Sequence, residues 1–145
     1  MVLGNEAEFI AKLPDKNTPL FAAERGCWPV PGWEPYYKQR FKHRFNYLNS
    51  GLYYCPAKWF IDTVEEFPVD FGDDDQKYFT GIHLFEDRGI TLDSCFDVFQ
   101  CYSFVEDSDY GYENNRLQNL HTLAQPVFIH FNGRTDMTKI LNMIK

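Results

Sequence analysis

Residues 45–68 read FNYLNSGLYYCPAKWFIDTVEEFP, and this stretch decides the fold class. Its first half carries Tyr47, Leu48, Leu52, Tyr53 and Tyr54 around Gly51. It reads as a strand in which another group comes close at the glycine. Pro56 then opens a helix at its first turn, where a missing N–H costs nothing. Trp59, Phe60, Val64 and Phe67 give that helix an apolar stripe, and Pro68 ends it.

The same alternation continues on both sides. Asn5 and Glu8 fit a capping box and predict a short helix to about Leu13. Lys12 to Pro19 reads as a loop, and Leu20-Phe21-Ala22-Ala23-Glu24 as a buried strand. Gly26 to Pro35 is an irregular, aromatic loop, and the alternating Lys38, Arg40, Lys42 and Arg44 read as a solvated face. Asp73-Asp74-Asp75-Gln76 begins a further helix, because acids favour the first turn, with Tyr78, Phe79 and Ile82 facing inward. Ile90 to Leu92 and Val98 to Cys101 are short strands, and Glu106 to Asn115 is a polar, mobile loop. Pro126 to His130 is a buried strand followed by an Asn132-Gly133 turn. Thr135 or Asp136 then caps a last helix through Ile144. Short apolar strands alternating with helices define an α/β domain. Ligands in such sheets collect where strands end and helices begin. That draws attention to Asp73 to Gln76, to His130 to Gly133 and to the Trp28 loop.

The 145 residues suit one domain or part of a larger one, and no repeat or linker interrupts them. Fourteen Phe, nine Tyr and three Trp supply core first, but also surfaces on which sugar rings stack. A net charge of −7 repels nucleic-acid phosphates and excludes general nucleic-acid binding, though a bound divalent metal would reverse the field locally for one phosphorylated ligand. Cys27, Cys55, Cys95 and Cys101 form no Cys-x-x-Cys pair and read as free thiols. The chain as written shows no signal peptide and no membrane-spanning run, so a soluble cytoplasmic protein is the expectation.

Four places could carry chemistry. Adjacent carboxylates at Asp73, Asp74 and Asp75 repel one another and need compensation, from a helix terminus and solvent or from a metal or sugar hydroxyls. His130 ends a strand before a tight turn, where imidazole either ties to backbone or ligates a divalent metal. Glu24 ends a buried strand ahead of Cys27-Trp28-Pro29, where the tryptophan serves the core or walls a nucleotide-sugar. Asn49 and Ser50, before Gly51, are either satisfied buried polar groups or ligand contacts. No Gly-x-Ser-x-Gly and no phosphate-binding glycine loop occurs.

These places resemble one family in order and approximate spacing. Phe21 to Pro29 is similar to the "FSAE-x-x-CWP" segment of the glycosyltransferase domain of lysyl hydroxylases and procollagen glycosyltransferases. Tyr47 to Gly51 matches its "YLNSG", and Asp73 to Gln76 with Tyr78-Phe79-Thr80 its "DDDQ-x-(F/Y)-(Y/F)-T". Ile90 to Asp93, Val98 to Gln100 and Pro126 to Gly133 match "I-x-LD", "IFQ" and "P-V-V-I-H-x-N-G". The resemblance implies a GT-A-like, Rossmann-like mixed sheet with flanking helices, residues 1–145 forming the C-terminal half of such a domain. It implies a UDP-sugar donor, a hydroxyl acceptor and Mn²⁺, with galactose or glucose transferred. His130 falls on the family's metal-binding histidine, and Asn132 and Gly133 on the turn beside the diphosphate. Asp73, Asp74, Asp75 and Gln76 fall along the sugar and acceptor side, and Glu24, Cys27, Trp28, Asn49 and Ser50 around the donor pocket.

The family's acidic metal motif lies just before the segment matching Val2-Leu3-Gly4, where this chain begins. Asp107-Ser108-Asp109 has a suitable spacing but the wrong place. The expectation is weak or no UDP-sugar turnover by this chain alone, with self-association or a complementing N-terminal half as partner. A non-catalytic binding module is the alternative, and a hydrolase with paired carboxylates a further one.

Overall fold

The computed structural model describes residues 1–70, 72–102, 106–114, 116–133 and 137–143. Asn5 caps helix α1 (Glu6–Lys12), its side chain accepting the Glu8 N–H at 3.0 Å. The other half of the capping box is not made. Glu8's carboxylate is instead held by Arg116 at 2.6 Å and by Lys12 at 2.8 Å.

Strand β1 (Leu20–Glu24) is buried along its whole length and sits at the centre of a three-stranded sheet. After a turn of 3-10 helix at Pro31–Trp33 comes helix α2 (Glu34–Arg40), in which Tyr37 is buried. Helix α2 is not expected from the sequence. The prolines and glycines from Gly26 to Pro35 obscured it, although Pro35 sits in the first turn, where proline is tolerated. Lys38, Arg40, Lys42 and Arg44 are all exposed.

Strand β2 (Tyr47–Tyr54) pairs antiparallel to β1, with a register shift between Phe21 and Ala22. Helix α3 (Ala57–Glu66) and helix α4 (Asp75–Phe85) follow, and β3 (Thr91–Asp93) lies parallel to the other side of β1. Phe21, with no exposed surface, stacks on Tyr53 at 4.9 Å between centroids and meets Phe79 at 5.0 Å. Burying such a ring contributes about 2 kcal/mol or more. That aromatic cluster fixes α3 and α4 against the sheet.

Strand β4 (Phe99–Cys101) pairs parallel to β7 (Phe128–His130). In the chain, the segment between them forms a hairpin of β5 (Tyr110–Glu113) and β6 (Arg116–Asn119), a separate two-stranded sheet. This corrects the expectation of a mobile loop over Glu106 to Asn115. Polar residues dominate the segment, but buried Tyr110 and Leu117 anchor it. A buried amide pair, Asn119 Nδ2 to Gln100 Oε1 at 2.9 Å, ties the hairpin to β4. Helix α5 (Thr138–Met143) packs through Ile140. The capping positions expected at Thr135 and Asp136, and the expected helix end at Ile144, lie outside the described residues.

Residues 1–4 run along β7. The Met1 amine donates to Ile129 O at 2.7 Å, the Ile129 N–H donates to Met1 O at 2.9 Å, and the Leu3 N–H donates to Val127 O at 2.7 Å.

His83, on α4, stacks on Phe41 with centroids 4.9 Å apart. Burial, and then the charge of Arg40, push its imidazole down to about 4 from 6.5. A depressed histidine favours the folded state above its unfolded value and loses that contribution as pH falls through its folded value. Stability is therefore expected to drop between pH 6.5 and about 4, by about 3 kcal/mol from this group. His83→Phe keeps the stack and removes the titration. Its melting temperature should fall less steeply over that window than the wild type's, and equal slopes would assign the acid sensitivity elsewhere.

Candidate functional site

Three segments end at one cleft of about 420 Å³. Strand β1 supplies Glu24, with Trp28 just beyond it; β7 supplies His130, followed by Asn132 and Gly133; the first turn of α4 supplies Asp75 and Gln76. The middle of β2 completes the lining with Asn49, Ser50 and Gly51.

Glu24 is the centre of the hydrogen bonding and only 3% exposed. Its Oε1 accepts from Gln76 Nε2 at 2.7 Å and Asn49 Nδ2 at 3.3 Å, and its Oε2 accepts from Asn132 Nδ2 at 3.0 Å. Among the described residues no lysine or arginine forms an ion pair with it. Burial raises its carboxyl above the ordinary range, and the three amide bonds pull in the opposite direction. Each carboxylate oxygen has two lone pairs, so Oε1 is filled while Oε2 keeps one for a further donor.

The amides are themselves fixed. Gln76 Nε2 also donates to Trp28 O at 2.9 Å, and Asn49 Nδ2 to Gln76 Oε1 at 3.2 Å. Asn49 Oδ1 accepts the Gly51 N–H at 2.9 Å. Ser50 Oγ donates to Asp75 Oδ2 at 3.0 Å. The Trp28 side chain is 60% exposed and so serves the cleft more than the core.

His130 is half-buried, and burial followed by the positive N-terminal amine hold its imidazole below the ordinary range. A neutral ring keeps a lone pair for a metal. The ring lies against Gly51 so closely that a Cβ there would run into Nε2. The close approach expected at Gly51 is made by His130, and Gly51 is a cleft residue beyond those expected from the sequence.

Of the residues singled out in the sequence, Glu24, Trp28, Asn49, Ser50, Asp75, Gln76, His130, Asn132 and Gly133 thus line one cleft. Cys27, Asp73 and Asp74 do not join them. Cys27 packs in the aromatic cluster, its Sγ donating to Val30 O at 3.3 Å, and its thiol is pushed up by burial and then by Glu34 and Glu24. Asp74 caps α4 by accepting the Lys77 N–H at 2.8 Å, and Asp73 accepts the Asp70 N–H at 3.0 Å. An acid run entering a helix turns with it, so one of the three reaches the cleft. Asp109 is engaged with Arg25 at 2.8 Å and with His121. Burial opposes its ionisation, but the Arg25 hydrogen bond, the Glu106 backbone N–H and His121 together hold its carboxyl well below the ordinary range.

The described residues do not by themselves complete a metal centre: no group of three or more His, Cys, Asp or Glu side chains among them is placed to hold an ion. Among them, too, no helix is long and apolar enough to cross a membrane.

The fold is that of a mixed α/β domain of the GT-A-like kind, and its cleft gathers polar groups at strand ends. The family model described as the PLOD GT domain matches residues 1–145, and the chain belongs to that family. An uncharacterized protein of Acanthamoeba polyphaga mimivirus is 33% identical over 129 residues, covering 89% of this chain and 27% of that protein. The multifunctional procollagen lysine hydroxylase and glycosyltransferase of Caenorhabditis elegans is 34% identical over 125 residues, covering 79% and 17%. Its Homo sapiens counterpart is 26% identical over 145 residues, covering 94% and 20%. The chain therefore spans about a quarter or less of the length of these relatives.

Proposed function

We propose that this cleft serves the transfer of a hexose, galactose or glucose, from a UDP-sugar to a hydroxyl acceptor of hydroxylysine-like chemistry, together with Mn²⁺. The observation that carries it is a buried carboxylate, Glu24, held by three amides at the floor of a cleft whose rim is an exposed tryptophan. Trp28 stacks on the sugar or base. Asn49, Gln76 and Asn132 fix the Glu24 carboxylate, and its free Oε2 lone pair accepts a sugar hydroxyl. As the sugar–phosphate bond breaks, positive charge grows at the anomeric carbon, and a preorganised, buried carboxylate stabilises it. Asp75, exposed beside Ser50, orients the acceptor hydroxyl. Asn132 and Gly133 line the diphosphate side. His130 would share the metal with carboxylates beyond the described residues. In support, Met1 is bonded to Ile129, so a segment joined ahead of Val2 would meet His130.

UDP release tests this. UDP-galactose and UDP-glucose are given with Mn²⁺ and a hydroxylysine peptide, to residues 1–145 alone and with the complementing half-domain. The expected result is weak or no release alone and release on complementation. Free hexose without acceptor would point to a hydrolase, and donor binding without release in either form to a binding module. Absence of donor binding in both forms would remove the cleft's proposed role.

A further inference from the structure

The far face of α4 carries a second groove, of about 480 Å³. Its floor is aromatic and aliphatic, built from Trp33, Phe67, Tyr78, Ile82 and Phe85. Gly81 leaves it open, since a Cβ there would meet only the Trp33 ring, at 3.8 Å. Phe85 is 46% exposed and edge-on to both Trp33 and Tyr36. The lining carries four carboxylates, Asp73, Asp74, Glu66 and Glu86, against one lysine, Lys77, and Arg88 pairs with Glu66 at 3.0 Å.

We infer that this groove docks a lysine-bearing, partly apolar stretch of the acceptor polypeptide. Charge complementarity selects that occupant. A lysine or arginine stem packs on aromatic rings while its cationic head reaches carboxylates, so rings below and acids above form a receptor for such a side chain. The first turn of α4 joins the two sites. Asp73 and Asp74 edge the groove, and the next two residues, Asp75 and Gln76, line the cleft. A polypeptide lying in the groove and running past Asp74 delivers a side chain to Asp75. This gives Asp73 and Asp74 a use outside the cleft, in acceptor selection. The assignment rests on sugar transfer at the cleft, but polypeptide binding can be read without it.

The experiment is fluorescence polarisation of the full chain with a fluorescein-labelled peptide in which lysines alternate with leucine and phenylalanine. Gly81→Leu fills the groove on a helix face with room for it, and leucine favours helix over glycine. It is expected to weaken binding at least about tenfold. Asp73→Asn with Asp74→Asn keeps the turn and the cap while removing charge, and should weaken binding severalfold and flatten its salt dependence. Glu86→Lys, at an exposed site, should favour the same peptide with glutamate in place of lysine. Equal binding of the lysine peptide by wild type and Gly81→Leu overturns the inference. So does a Gly81→Leu effect confined to self-association in sedimentation, which would make the groove a contact between two copies. If the peptide binds as expected while no hexose is transferred, the groove stands and the sugar-transfer proposal falls. If a small hydroxyl acceptor is glycosylated and Gly81→Leu leaves the peptide's KM unchanged, the reverse holds.

Discussion

Glu24→Gln is expected to lower hexose transfer by about a thousandfold in kcat, in whichever form of the protein turns over UDP-hexose, with donor affinity changed far less. The substitution is nearly isosteric and removes charge where the reaction needs it. Asn132 can turn its amide to offer an oxygen to the new NH₂ group, so the fold should survive. Glu24→Ala is a harsher change, because it strips the acceptor from the amides of Asn49, Gln76 and Asn132. Each donor left buried and unpaired costs about 1–3 kcal/mol. The two variants thus separate charge from scaffold. A pH series adds an independent check. Burial raises the Glu24 carboxyl above 4.5, so its contribution to stability is fully present below that value and is lost as pH rises through the folded one. Glu24→Gln should therefore gain on the wild type in melting temperature from pH 4.5 upward. A kcat within a few fold of wild type would remove Glu24 from the chemistry.

Gly51→Ala should cut Mn²⁺-dependent UDP binding by about tenfold or more without lowering the melting temperature. In a strand, alanine is ordinarily better than glycine by about 0.5–1 kcal/mol. Here the added methyl meets His130 at Nε2, and at 2.5 Å from Cδ2, so the ring must swing away. Function falls while intrinsic strand preference improves, a combination that general unfolding cannot mimic. Two readouts locate the cause. The imidazole resonances of His130 should move in Gly51→Ala, and adding His130→Ala to it should cause little further loss, because both changes act through one ring. Unshifted resonances together with full nucleotide affinity would separate Gly51 from the site.

Most of the α/β pattern was legible because its strands are short apolar blocks and its helices carry stripes: β1, β2, β7, α3 and α4 all appear where their residues demand. What escaped were elements whose stability is tertiary. The β5–β6 hairpin is polar in sequence and stands on two buried side chains and the Asn119–Gln100 amide pair, partners that come from distant positions. Helix α2 was masked by its own proline, a residue that reads as a breaker until its place in the first turn is known. The cleft was read more completely than the fold around it. Strand ends and a helix start mark it locally, and resemblance supplied the residues. The acid run was over-read, because helix geometry spreads three consecutive side chains in different directions. Gly51 carried a signal, an isolated glycine in a strand, but nothing local told which side chain needed the space.

The pairing of Met1 with Ile129 bears on how the protein should be handled at the bench. A polyhistidine affinity tag attached ahead of Met1 would emerge next to His130 and bring imidazoles to the place where metal binding is to be measured. Apparent affinity for Mn²⁺ or nickel in such a preparation would report the tag. Purification through the opposite terminus, or removal of the leader before titration, keeps the measurement on the native ring.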